Sequence, residues 1–327
     1  MGVANIREIA RLAGVSVSTV SRVLNNHPYV NEQKRAEIMR IIAELNYVQN
    51  SNAVHLSTGK TKVIGVTLPL VNNQYYSSII EGIAAEAARH QYNLMVCQTN
   101  NVPEQEHNIL RLLKNKKMDG LIMCSRSTSC ELLDEYAEYG PIITCEANQT
   151  ASVSSVHIDH YLTFQIGMEY LISKGHRKIG YCIGRKNSFN SAHRKRAYHD
   201  MLRSVDVKPS ADWAFEDCLI VQDGKDVARH IQQMKEPPSA LLVSCNHIAA
   251  GIVKEAGSLG ISIPSDLAIV GCDDQPVGEL LEITTVSSPS TLMGNYAFEM
   301  LYERILHPSS KKESRELAPI LVERRTT

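Results

Sequence analysis

Apolar residues in the first 47 positions recur at helical spacing, in three sets: Ile6, Ile9, Ala10 and Ala13; Val20, Val23 and Leu24; then Ile38, Ile41, Ile42 and Leu45. Each set follows the i, i+3, i+4 rule, which predicts three short helices with one buried face apiece. Asn5 with Glu8, Ser16 and Asn31 stand where each helix should begin, as side chains able to accept from unpaired backbone N–H groups. Only Gly14, Val15 and Ser16 separate the first two helices. A turn that short, with a glycine free to take positive φ, predicts the wide interhelical angle of a helix-turn-helix.

Beyond residue 60 the period changes. Strand-like runs alternate with amphipathic stretches: VIGVTLP, then Tyr75 to His90; NLMVCQT, then Glu104 to Lys117; GLIMCS, then Cys130 to Tyr139; PIITCE. The rhythm restarts with SVHID, Tyr161 to Lys174, KIGYCIG, Asn190 to Ser204, DCLIV, Gly224 to Lys235, ALLVSC, Asn246 to Ser258 and LAIVGCDD. Such alternation predicts parallel sheets covered by helices on both faces, and two rounds predict two lobes flanking a cleft. The fold class expected is therefore an α/β body of two doubly wound parallel-sheet lobes with an N-terminal all-α helix-turn-helix head. The head is expected over residues 1–58 and the body over 60–327, with one lobe over about 62–158 plus 291–318 and the other over 159–290 plus the tail. Ligands of such sheets bind beyond the carboxyl ends of the strands, so residues just after each strand are the candidates.

Composition narrows the class. The longest apolar stretch, Val63 to Val71, is far shorter than the roughly 20 residues of a spanning helix. The N-terminus lacks the apolar core of a secretory signal, so a cytoplasmic location without membrane contact is expected. Eight cysteines stand singly with no CxxC, a usage that fits reduced, buried thiols. Residues 1–62 hold eight Lys/Arg against four Glu, a charge of +4, which leaves -5 for the rest of a chain whose net charge is -1. A basic head on an acidic body predicts polyanion binding by the head. With the second helix in a major groove, Ser18 and Arg22 lie opposite Val20 and Val23 and face the bases. Arg22 suits guanine O6 and N7, while Ser16, Thr19, Ser21 and Asn25 are short donors for phosphates or base edges.

The run IREIARLAGVSVSTVSRVLNNHPYVNEQKRAEIMRIIAELNY closely resembles the DNA-binding head of the lactose-repressor (LacI/GalR) family, whose A-x-x-A-G-V-S-x-x-T-V-S-R-V-L-N hallmark stands here as Ala10 to Asn25. The resemblance implies a homodimeric repressor on a near-palindromic operator, with Val17 and Ser18 at the family's specificity-setting pair. It also implies a hinge helix over about 50–57, in which Asn50, Ala53 and Leu56 match and Leu56 would wedge into the central minor groove. Gln49 stands where the family usually has Pro, and Val54 where it often has Arg. The body resembles the family's effector domain through YLISKGHRKIGYCIG, PSALLVSCNHIAAGIVKEAGSLGISIPSDLAIVGCDD and ITTVSSP. This likeness implies effector contacts at Tyr75, Tyr76, Ser125, Glu146, Asp159, Asn190, Arg194, Asn246, Asp273 and Ser288. Carboxylates beside Arg or Asn hold vicinal hydroxyls and tyrosine faces stack on sugar rings, so a carbohydrate is the favoured effector. The alternatives are a corepressor-dependent regulator answering to a purine or a phosphoprotein, and a ligand-binding protein without DNA regulation. Three departures stand out: His160 and His247 where the family often has Asn and Asp, and Ala197 for a common Gly.

Rival chemistry is thin. His157, Asp159 and His160 form an HxDH cluster with no evident third close ligand beyond it, so no metal is expected. Asp273 and Asp274 are adjacent at a strand end and should point apart, and no activated nucleophile is visible, so no catalytic residue is expected. The glycines of GHRKIGYCIGRKNS spell no phosphate cradle, and no cofactor is expected. The tail HPSSKKESRELAPILVERRTT carries no leucine heptads, which favours a dimer over a tetramer.

Overall fold

The computed structural model describes residues 5–25, 27–48, 54–55, 59–147 and 152–327. The chain forms two compact units, Met1–Thr61 and Lys62–Thr327.

The first unit contains α1 (Ile6–Leu12), α2 (Val17–Leu24) and α3 (Glu32–Glu44). Each begins at the expected cap: the Asn5 side chain accepts from the N–H groups of Arg7 and Glu8, Ser16 from Thr19, and Asn31 from Gln33 and Lys34. Ile9, Ala10, Val20, Val23, Ile38 and Ile41 form one buried core, with Ile6, Ala13, Leu24, Ile42 and Leu45 packed around it. Gly14 sits at φ +61°, a left-handed position where a side chain would strain the turn.

The second unit holds two six-stranded sheets. Its elements run β1 (Val63–Leu68), α4 (Gln74–Arg89), β2 (Asn93–Gln98), α5 (Pro103–Lys114), β3 (Gly120–Met123), α6 (Cys130–Tyr136), β4 (Ile142–Thr144) and β5 (Ser154–Ile158). They continue with α7 (His160–Ser173), β6 (Ile179–Cys182), α8 (Phe189–Arg203), β7 (Ala214–Phe215), α9 (Val221–Gln233), β8 (Ala240–Val243), α10 (Asn246–Ser258) and β9 (Ala268–Cys272). Last come α11 (Pro276–Leu280), β10 (Thr284–Ser287), α12 (Ser290–Leu306), β11 (Ser314–Leu317) and β12 (Ile320–Val322). The sheets are ordered β11-β5-β4-β3-β1-β2 and β12-β10-β9-β8-β6-β7, and every pairing is parallel except β10 with β12. The chain crosses from one sheet to the other after β5, after β10 and after β11, which places Asp159 and Ser288 at crossings.

One expected strand is not one. DCLIV forms the connection into α9, and the short edge strand β7 precedes it. The Asp223 carboxylate accepts from the N–H groups of Leu219 and Ile220, so these residues close a helix start instead of extending the sheet.

Helices α4 and α12 cross closely over the first sheet. A Cβ on Gly82 would overlap the Thr291 carbonyl oxygen, and one on Gly294 the carbonyl of Ile79. Because backbone sits on the far side of each glycine, Gly82→Ala should cost about 1–3 kcal/mol. Urea unfolding of the variant checks this, and an unchanged midpoint would contradict the crossing. Among the described residues no helix is long and apolar enough to cross a membrane.

Candidate functional site

The first surface is the exposed side of α2. Ser16, Val17, Ser18, Arg22 and Asn25 are exposed, while Thr19 and Ser21 are half-buried. Burial of Val20 and Val23 against α1 and α3 forces this outcome, since residues on the opposite side of a helix must then face outward. Val17 is 42% exposed, an apolar side chain among hydroxyls. Ser16 Oγ lies 2.7 Å from Ser18 Oγ and 2.9 Å from Thr19 Oγ1, and Asn25 Nδ2 donates to Ser21 Oγ at 3.4 Å. Arg22 makes no ion pair among the described residues. Asn50, Ala53 and Leu56 of the expected hinge lie outside the described residues; Val54 and His55 between them are helical.

The second surface is a cavity of about 140 Å³ between the carboxyl ends of the two sheets. Seven of the expected contacts line it: Tyr75, Tyr76, Ser125, Glu146, Asn190, Arg194 and Asp273. On one wall Ser125 donates to Glu146 Oε1 at 2.8 Å, and burial raises the Glu146 carboxyl despite that bond and the nearby Arg126 and Arg185. Asn190 Nδ2, from the other lobe, donates to the same oxygen at 3.2 Å. Tyr75 and Tyr76 meet edge to face at 5.2 Å, and burial raises both phenols.

On the opposite wall Arg194 Nη2 lies 3.1 Å from His160 Nδ1. A guanidinium only donates, so Nδ1 accepts and the imidazole is neutral with its proton on Nε2. Burial, then the Arg194 charge, holds His160 well below the usual histidine range. Asp273 follows β9 at φ +81°, a left-handed conformation that turns it into the cavity, and Asp274 pairs instead with Arg324 at 2.7 Å. Burial pushes the Asp273 carboxyl up to about 6, offset in part by the Arg194 charge and by the Cys245 and Ser288 side chains beside it.

Three expected contacts do not line the cavity. Asp159 caps α7, accepting from the N–H groups of Tyr161 and Leu162. Asn246 is fully buried, accepts from Thr285 Oγ1 at 2.9 Å, and fills the space left by Gly271 and Gly278. Ser288 is buried behind Asp273 and acts on its carboxylate. Sequence reasoning missed Arg185, whose Nη1 and Nη2 reach toward Ser127 Oγ and Ser125 Oγ at 3.4 and 3.5 Å across the cleft. Its signal was positional, because it stands just past β6 where ligand-facing residues are expected. Ser188, Ser191 and His247 also line the cavity. His157 approaches Glu316 at 3.8 Å, so the HxDH residues diverge, and the described residues contain no cluster fit for a metal.

Residues 5–50 match the family described as bacterial regulatory proteins, lacI family, and residues 168–327 match a periplasmic binding protein-like domain. The chain is 40% identical over 302 residues to the uncharacterized HTH-type transcriptional regulator YkvZ of Bacillus subtilis, covering 92% of this chain and 94% of that one. This protein belongs to the LacI family. It is thus a transcriptional regulator, and its two-lobed body is the fold of other LacI-family structures. A LacI-family regulator from Lactobacillus casei with bound sucrose superposes with a TM-score of 0.76 at 23% identity, covering 81% of this chain and 99% of that one. The lac repressor dimer bound to operator and an anti-inducer gives 0.87 at 23% identity over 100% and 99% of the two chains. In this LacI-family chain, then, the cap-defined head and the interlobe cavity are separate chemical surfaces on separate compact units.

Proposed function

We propose that this regulator is a homodimeric repressor that holds a near-palindromic operator through α2, and that a sugar bound in the interlobe cavity sets its grip. The observation that carries the effector reading is the charge balance of the cavity. Glu146 and Asp273 are matched by Arg185 and Arg194, while His160 is neutral. An anion would meet two carboxylates and a cation two guanidiniums, whereas a neutral polyol bonds to both kinds of group through each hydroxyl. The volume suits one sugar ring, and the Lactobacillus casei relative is described with bound sucrose.

In the mechanism we favour, lobe movement around the effector separates the two hinge segments of the dimer and releases DNA. Weakening operator affinity 100-fold needs about 2.7 kcal/mol of coupling, within the range of ligand-linked equilibria. A thermal-shift screen of sugars, sugar phosphates and purines, followed by operator binding with each hit, tests this reading. Stabilisation by a neutral sugar with release of DNA supports it, and a response to purines alone overturns the effector class. A footprint upstream of neighbouring genes should protect a palindrome whose occupancy falls steeply with salt. Leu56→Gly should reduce specific binding about tenfold or more and leave the salt-driven nonspecific component nearly unchanged. Competition titrations with random duplex check the difference.

A further inference from the structure

We propose that Cys245 is a nucleophile in the cavity wall, served by His247 as its base, that adds to small neutral conjugated carbonyl compounds. Cys245 stands between β8 and α10, with backbone extended at φ -158°. Its Sγ lies 2.8 Å from His247 Nδ1, and His247 Nε2 lies 3.0 Å from the Leu219 carbonyl oxygen. A carbonyl only accepts, so Nε2 carries a proton, and in the imidazole form Nδ1 then presents its lone pair to the thiol. Nucleophile, base and a third group that orients the base are the three parts of an activated thiol.

A fourth part faces the sulfur. Gln275 Nε2 donates to Cys245 Sγ at 3.1 Å, which favours negative charge as it develops there. Among the described residues the oxygen of the same amide has no hydrogen-bond partner although Gln275 is 3% exposed. Cys245, His247 and Leu219 all line the cavity, so a molecule inside it meets the sulfur directly. Asp273 faces the thiol from the end of β9, with Cys272 beside it and Cys182 behind. Burial and the Asp273 charge hold the thiol above the ordinary cysteine range. At rest it is therefore S–H, and the base must take the proton as the bond forms.

In the reaction, the proton passes from sulfur to Nδ1 while sulfur bonds to the β carbon. The C=C electron pair moves to the α carbon and oxygen as an enolate, and the imidazolium returns the proton to the α carbon. S–H has added across C=C; nothing is oxidised or reduced overall and no co-reactant is needed. Cys124 and Cys218 line the same cavity and among the described residues neither is bonded to an imidazole, so they are internal references; Cys218 is the stricter one, because its bond with Cys182 holds its thiol below the ordinary range without any base beside it.

The test is timed labelling of the full chain with N-ethylmaleimide, read by peptide mapping at all eight cysteines. The expected result is that Cys245 reacts at least about tenfold faster than Cys124 and Cys218. His247→Gln should erase that lead and leave the other two rates unchanged. Equal rates at the three cavity thiols in the unsubstituted protein, or a lead that survives loss of His247, overturns the proposal. A misfolded variant shows itself by fast labelling of buried Cys182, and the comparison within the unsubstituted chain then decides. Because the readout is a mass on a peptide, it stands or falls independently of any sugar or operator.

Discussion

Arg22→Ala is expected to weaken operator binding by about 10- to 100-fold while leaving sugar binding in the body intact. A bidentate Arg–guanine contact contributes about 1–3 kcal/mol of discrimination, which fixes the scale. The side chain is exposed on α2 and makes no ion pair among the described residues, so its loss removes no support from the head. The head's melting temperature should therefore stay within a degree or two. Fluorescence anisotropy with operator and with scrambled duplex separates the effects: affinity for the two should converge. Equal losses on both, with the preference retained, would reduce Arg22 to a phosphate contact.

Asp273→Asn should have opposite effects on binding and on stability. The carboxylate is the acceptor at the centre of one cavity wall, and replacing it leaves hydroxyl donors without a charged partner, a loss of roughly 1.5–3 kcal/mol or about 10- to 100-fold in affinity. Stability should rise instead. Burial pushes this carboxyl up to about 6, so the folded chain holds its proton more tightly than the unfolded chain does. A raised carboxyl leaves the fold unpenalised at low pH and costs stability as pH climbs from the usual carboxylate range through about 6. At neutral pH the full cost is present, of order 1–3 kcal/mol, and the amide removes it. Melting curves at about pH 3.5 and pH 7 should show the variant ahead at the higher pH and its lead nearly gone at the lower one. Sugar affinity of the unsubstituted protein should fall as pH drops below about 6, because the protonated carboxyl accepts less well.

Much of this molecule was legible before any coordinates. The head was readable down to its caps because local signals agree there: helical spacing, a cap residue at each start and one glycine in the turn. The βα rhythm was legible for the same reason, and helix ends shifted by only a few residues. DCLIV misled because an apolar run of that length suits a strand as well as the approach to a helix, and a single side chain, Asp223, decides between them. The cavity was legible by position more than by orientation. Asp159, Asn246 and Ser288 stand near strand ends, yet a cap, a glycine-lined gap and the back of another carboxylate hold their side chains away. Such distinctions depend on what a side chain meets across the fold, and spacing carries no record of it. Arg185 was missed for the converse reason: its position was right, and only its reach to Ser125 reveals the role.

The bonds that run between the lobes, from Asn190 to Glu146 and from Arg185 to the serines opposite, bear on timing as well as geometry. Wherever an incoming molecule needs these bonds to part, its admission waits on their opening by thermal motion. At high dose the observed rate of uptake should therefore stop climbing and settle at the frequency with which they open by themselves. Loosening a fastening, for instance with Asn190→Ala, would raise that ceiling, so how quickly the cell hears a metabolite would be set by a few polar side chains and not by abundance alone.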